Sequence, residues 1–200
     1  MKALLLIDIQ NDFLPGGSLA VPEGDAVIPV ANEHIAQGGW DIVYATQDWH
    51  PADHGSFASQ HAGKTPGELV RLGGVDQILW PDHCIQQSSG AELAADLHQE
   101  AIDEIVYKGV DSQIDSYSGF YDNGKQRATG LEDLLKQRGV REVWIMGLAT
   151  DYCVKFTVLD ALEAGFEVRL VLDGCRGVNL QPGDVEKAIE DMRAAGAIIV

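Results

Sequence analysis

Short runs dense in Val, Ile and Leu recur along this chain, and stretches of helical periodicity lie between most of them. Runs near residues 3–8, 42–47, 103–107, 142–148, 167–172 and 196–200 are dense in Val, Ile and Leu, as strands buried on both faces should be. Helical stretches are expected near 25–37, 90–100, 130–138, 151–164 and 184–194. Gly139 and Gly165 stand where a helix ends, just ahead of the next strand. Repeated β-α units of this kind leave few folds. The expectation is α/β: a single three-layer α/β/α domain over residues 1–200, with a six-stranded, mostly parallel sheet and right-handed crossovers. A chain of 200 residues buries enough surface for such a core without metal or disulfide support.

In an open parallel sheet the carboxyl ends of the strands gather along one edge, and ligands bind in the crevice there. Asp8, Lys108 and Cys153 each fall at, or within a few residues of, the end of a strand-like run. Charge at the end of a buried strand is costly unless it is paired or used. Together the three supply a carboxylate to take a proton, an ammonium to hold developing charge and a thiol to attack. A structural salt bridge is the competing account of Asp8 and Lys108. Gly147 to Cys153 runs from the fourth strand into a helix, with Thr150 as the expected N-cap and Cys153 in the first turn. Unpaired amides and the dipole at a helix start favour a thiolate and can hold an oxyanion. Cys84 and Cys175 lack such a setting and are expected to be inert.

One segment breaks the rhythm. From Asp48 to about Ser89 neither periodicity is visible, and a loop of ~40 residues in a compact domain is usually functional. It carries His50, His54, His61 and His83, four of the chain's 6 histidines. Asp48, His50 and His83 could supply a carboxylate and two imidazoles to one divalent ion, Zn²⁺ by preference or Fe²⁺ or Mn²⁺, with surface or hydrogen-bonding loop histidines as the alternative, since no regular spacing fixes the set. His54 is a further candidate ligand and His61 a weaker one. The glycine-bearing stretch Asp12 to Leu19 is expected to arch over the same edge. Phe13, Trp80, Tyr117 and Phe120 lie on loops there and could sandwich a flat ring, with ordinary packing as the alternative.

Charge and cysteine usage exclude several classes. Lys and Arg number 14 against 31 Asp and Glu, a net charge of −17, which disfavours nucleic acid and anionic membranes as partners. No stretch approaches the ~20 apolar residues of a membrane span, and the first residues lack a signal peptide's small-residue cleavage site. Three widely spaced cysteines are no disulfide framework, so a cytoplasmic location is expected. A homo-oligomer is left open.

The ordered segments resemble the nicotinamidase (pyrazinamidase) branch of the isochorismatase-like cysteine hydrolases. They are Asp8-Ile9-Gln10-Asn11-Asp12-Phe13, Gly16-Gly17-Ser18-Leu19-Ala20-Val21, Asp48-Trp49-His50-Pro51, His54-Gly55-Ser56-Phe57, Trp80-Pro81-Asp82-His83-Cys84, Tyr107-Lys108-Gly109, Tyr117-Ser118-Gly119-Phe120 and Gly147-Leu148-Ala149-Thr150-Asp151-Tyr152-Cys153-Val154. The resemblance implies the isochorismatase-like hydrolase fold and conversion of nicotinamide to nicotinate and ammonia, a step in salvage towards NAD, with pyrazinamide as an analogue. It implies Asp8 as base, Cys153 as the nucleophile that forms a thioester, Lys108 beside them, and the amides of Ala149 and Cys153 as oxyanion hole. It also implies a cis Leu148-Ala149 peptide. Asp48, His50 and His83 carry over as ligands of a metal that binds the pyridine nitrogen, with His54 variable. Phe13, Trp80, Tyr117 and Leu148 carry over towards the substrate. The stretch with Asp111 and Asp115 matches no pattern. A relative acting on a carbamoyl or ureido compound is the competing enzyme reading, though such relatives generally lack the metal segment. A non-catalytic metal-binding module would have no use for Asp8, Lys108 and Cys153 together.

Overall fold

A computed structural model describes all residues, 1–200. Six parallel strands form the main sheet: β1 (Lys2–Ile7), β2 (Ile42–Asp48), β5 (Glu104–Lys108), β6 (Glu142–Leu148), β7 (Glu167–Arg176) and β8 (Ile198–Ile199). Their order is β5-β2-β1-β6-β7-β8, so β1 is central. Successive side chains of a strand point to opposite faces. Ala3 to Ile7 are all at most 1% exposed, which means both faces of β1 are covered. That is why the strand reads as Ala-Leu-Leu-Leu-Ile rather than as an alternation. The cover comes from α1 (Val27–Gln37), α2 (Leu131–Gln137), α3 (Lys155–Glu163) and α4 (Asp184–Ala195). α1 lies against β6 and β7, and α3 packs on β7 and α4. No helix is long and apolar enough to cross a membrane.

The chain leaves β1 for β2 on one side and later returns to β6 on the other, so the strand order reverses between β1 and β6. Carboxyl ends at such a reversal flank a ready-made crevice. Asp8 follows β1, Asp48 and Lys108 end β2 and β5, and Ala149 follows β6. Asp48 and Lys108 are direct partners in the sheet register.

Four expectations from the sequence need correction. No helix spans 90–100; only single turns occur at Ser89–Ala91 and Gln99–Ala101. This segment instead runs beside the residues after β1, with Asn11 N–H on Glu92 O and Ala94 N–H on Ile9 O. The side-chain amides of Asn32 and Gln99 take the Asp96 and Ala94 carbonyls, at 2.7 and 2.8 Å. Tertiary hydrogen bonds thus replace the helical ones. Second, the long loop is not devoid of strands. β3 (Leu69–Leu72) and β4 (Val75–Ile78) pair antiparallel across Gly73-Gly74, whose φ angles of +60° and +86° suit a tight hairpin turn. Third, the strand expected at 167–172 continues to Arg176, and the last shrinks to two residues. Fourth, the helix expected from 25 begins as a tight turn at Gly24–Ala26 and becomes regular at Val27.

Candidate active site

Lys108 sits at the centre of the crevice and is 1% exposed. Its three ammonium hydrogens have three acceptors: Asp48 Oδ1 at 2.5 Å, Ser116 O at 2.9 Å and Cys153 Sγ at 3.4 Å. Asp8 Oδ2 lies 2.9 Å from the same nitrogen but receives no directed hydrogen bond from it. Burial opposes the charge on Lys108, yet Asp48 and Asp8 outweigh it and hold its pKa well above the usual lysine range.

Asp8 is fully buried and takes a left-handed backbone, φ +49°. Its Oδ1 accepts the Thr46 hydroxyl at 2.5 Å, so that oxygen is tied down. Oδ2 faces the Lys108 ammonium, and the Asp8 carboxylate comes within 4.8 Å of Cys153 Sγ. Burial raises the Asp8 pKa to about 6, the nearby Asp48 adding to the shift and Lys108 opposing it. The thiol behaves differently from the expectation for a helix start. Burial, with Asp8 and Asp48 nearby, pushes the Cys153 pKa well above its usual value despite Lys108. The resting pair is therefore a neutral thiol facing a carboxylate.

The turn that carries the thiol also departs from the sequence reading. Thr150–Val154 forms a wide π turn whose capping position is Ala149, with no side-chain cap, so Thr150 is not the N-cap. The Leu148–Ala149 peptide is cis. The N–H of Ala149 makes no hydrogen bond within the chain and is free to face a ligand.

Asp48 joins this half of the site to a second one. Its Oδ2 lies 3.8 Å from His50 Nε2 and 3.9 Å from His83 Nε2. Each ring is oriented from behind: Nδ1–H of His50 donates to Gly109 O at 2.8 Å, and that of His83 to Pro81 O at 2.7 Å. Such outer hydrogen bonds fix the tautomer and leave the Nε2 lone pair facing inward. Burial lowers both ring pKa values to about 4, so both are neutral at pH 7. His50 Nε2 is buried without any partner. An orphaned imidazole nitrogen, a second neutral imidazole and a carboxylate within 4.8 Å of one another fit a divalent metal ion. Gly109 allows this packing, because a Cβ there would lie 2.3 Å from His50 Cε1.

His54 stands next to this set. Its Nδ1 contacts the Ser56 hydroxyl at 2.7 Å, and its ligand atom groups with His50 and Asp115 rather than with Asp48 and His83. His61 is elsewhere, bonded to Gly55 O at 2.8 Å.

Both halves contribute side chains to one cavity. Phe13, Trp80 and Tyr117 line it, as do Cys153, Ala149, Asp48 and His83. Trp80 Nε1–H donates to the Tyr117 hydroxyl at 3.1 Å, which fixes the two rings relative to each other. Phe120 is not part of this wall: it is fully buried, 6.2 Å from Phe166 in the core. Leu148 is likewise fully buried in the core, and its neighbour Ala149 reaches the cavity instead.

The isochorismatase domain pattern matches residues 2–200. The chain belongs to the isochorismatase family. It is 54% identical over 202 residues to the nicotinamidase of Escherichia coli (strain K12), covering 99% of this chain and 93% of that one. The fold superposes on a nicotinamidase/pyrazinamidase of Acinetobacter baumanii with a TM-score of 0.95 at 42% identity, covering 100% and 95% of the two chains. A Pyrococcus horikoshii pyrazinamidase solved in complex with zinc gives a TM-score of 0.80 at 40% identity, with 100% and 98% covered. Within the isochorismatase family the chain falls in the nicotinamidase branch and is an amide hydrolase.

Several cavity residues escaped the sequence reading. Asp115 is 3% exposed and lines the cavity, its carboxylate accepting from Ser116 N–H at 2.8 Å and Gln77 Nε2 at 3.1 Å. Its only signal in the sequence was an acidic residue in a stretch that matched no pattern. Leu19, Val21, Tyr152 and Val178 complete the walls. Nothing in an isolated apolar loop residue announces that role. Cys84 and Cys175 are buried and lie outside the cavity lining; burial pushes Cys84 well above its usual pKa and Cys175 to about 12.

Proposed function

We propose that this chain hydrolyses nicotinamide to nicotinate and ammonia through a thioester on Cys153. The observation that carries the reading is that Cys153, Asp48 and His83 line one cavity walled by Phe13, Trp80 and Tyr117, with Asp8 and Lys108 buried behind the thiol and His50 beside Asp48 and His83. Nicotinamidase relatives covering the whole of this chain support the same substrate.

Asp8 is ionised at neutral pH, since its pKa is about 6, and its Oδ2, paired with the Lys108 ammonium, takes the thiol proton as Sγ attacks the carboxamide carbon. The tetrahedral oxyanion forms against the N–H groups of Ala149 and Cys153. Collapse breaks the C–N bond; Asp8 returns the proton to the leaving nitrogen, and ammonia departs. Asp8 then takes one proton from water as the water oxygen attacks the thioester carbon; that proton restores the thiol, and the nicotinic acid that leaves gives its remaining proton to solvent as nicotinate. Lys108 keeps its charge throughout, held between Asp48 and Asp8, and stabilises negative charge near Sγ. Asp48, His50 and His83 would hold a divalent ion, with His54 and Asp115 beside it. Bound there, the ion would act as a Lewis acid towards the pyridine nitrogen, orienting the ring and drawing electron density from it. Phe13 and Trp80 would clasp the ring faces. Three buried free cysteines suit a reducing compartment such as the cytoplasm.

Ammonia release from nicotinamide by the purified, metal-replete protein, beside Cys153→Ala, tests the reading. Release that vanishes in the variant supports it. No release from the wild-type protein would sink the nicotinamide assignment.

A further inference from the structure

Asp151 lies two residues ahead of the nucleophile and has no place in the chemistry above. It is 8% exposed, and Arg176, the cation at the end of β7, pairs with Glu23 at 3.7 Å instead. Asp151 is satisfied by backbone alone. Oδ1 accepts the N–H of Val178 at 2.9 Å and Oδ2 that of Asn179 at 2.7 Å. Charge-assisted bonds of this kind are among the stronger ones and hold their donors firmly.

The loop after β7 is shaped to reach that carboxylate. A Cβ on Gly177 would lie 2.2 Å from Val185 Cγ2 and 3.1 Å from Asp151 Oδ1, so only glycine permits the approach. Asn179 then turns through a left-handed backbone, φ +55°. Between them Val178 projects to the cavity as the loop's contribution to its wall. A β-branched side chain on a pinned backbone is stiff. Because Asp151 shares a turn with Cys153, the position of this wall is tied directly to the attacking sulfur.

The geometry points to Asp151 as a positioning residue and to Val178, which it holds, as a specificity-determining residue that limits the size of the ring beside the reacting amide. This rests on the amide-hydrolase reading of the same cavity.

The test uses the full-length, metal-replete protein with nicotinamide and a series of ring-methylated nicotinamides. Val178→Ala is expected to raise kcat/KM for at least one methylated amide, relative to nicotinamide, by about tenfold, the usual effect of one methyl in an apolar pocket. Asp151→Asn replaces one acceptor oxygen by an amide that faces an N–H. It is expected to move the same ratio in the same direction by less, and to raise KM for nicotinamide more than it lowers kcat. Gly177→Ala displaces the loop without altering either residue and should reproduce this change, which covers the case where Asp151→Asn fails to fold. If all the variants keep the wild-type ratio for every analogue, whatever their Tm, Asp151 is a structural brace only and the proposal falls.

A second readout needs no nicotinamide. Alkylation of Cys153 by iodoacetamide and by its bulkier N-phenyl analogue is followed by mass spectrometry, and the bulky-to-small rate ratio should rise severalfold in each variant. If wild-type protein releases no ammonia yet this ratio rises, the nicotinamide assignment fails and the wall stands. If ammonia is released and neither ratio moves, the activity stands and the wall fails.

Discussion

The two halves of the site are built by different means. Asp8, Asp48 and Lys108 stand at the ends of adjacent parallel strands, so sheet register alone brings their side chains together, Asp48 directly opposite Lys108. His50, His83, Trp80 and Asp115 come from loops and need individual hooks. Gly109 and Pro81 carbonyls aim the two imidazoles, Asp12 Oδ2 holds Cys84 N–H at 2.7 Å beside His83, and Gln77 holds Asp115. Register is maintained by the whole core, whereas a hook is one or two hydrogen bonds. The strand-end half should therefore fail all at once, and the loop half one residue at a time.

The largest effect should come from the nucleophile. Cys153→Ala is expected to lower kcat at least about 10⁴-fold, since removing a covalent nucleophile typically costs this much or more. The metal content of that variant, read by elemental mass spectrometry, should stay at the wild-type value. Loss of metal together with activity would break the separation of the halves.

Next comes the shared ammonium. Lys108→Met leaves Asp8 and Asp48 buried without their counter-charge, and removing one partner of a buried pair typically destabilises by about 3–5 kcal/mol. Denaturant melts should show that loss. A wild-type midpoint would mean that strand ends are held by packing alone.

A smaller, local effect is expected on the loop side. His83→Ala should weaken metal affinity in chelator competition by at least about tenfold while leaving the folding midpoint within ~1 kcal/mol, as for losses confined to a metal site's surroundings. A stability loss comparable to that of Lys108→Met would show that the loop half is not locally built.

The smallest is a pH effect. Asp8 acts as its carboxylate, so kcat/KM should fall as pH drops through about 6, tenfold per unit. The Thr46 hydroxyl bond favours that carboxylate. Thr46→Val should therefore move the acid limb upward by a fraction of a unit, and a downward movement would contradict the geometry.

Much of this was legible in the residues. The central strand β1 reads as an apolar run because burial on both faces leaves no room for polar alternation, and the other five are marked by their density of Val, Ile and Leu. Asp8, Lys108 and Cys153 could be picked out because reactive groups at strand ends need a reason. The helix expected at 90–100 failed because its backbone groups found partners on residues 9–11, which no local pattern encodes. The β3–β4 hairpin was missed although Gly73-Gly74 marks its turn. Phe120 was grouped with Phe13 and Trp80 because an aromatic ring looks the same in a core and in a pocket wall.

The sequence by itself determined which segments become the buried strands of a mostly parallel sheet, and that Asp8, Lys108 and Cys153 fall near their carboxyl ends, because strand composition is a property of the local chain. Only the tertiary structure decided which loop residues face the cavity, which ring nitrogens are left unpaired and which oxygen of Asp8 faces the Lys108 ammonium. Those depend on single hydrogen bonds between segments tens of residues apart: Thr46 hydroxyl with Asp8 Oδ1, His50 with Gly109 O, Val178 N–H with Asp151. No local spacing records which partner such a bond will find.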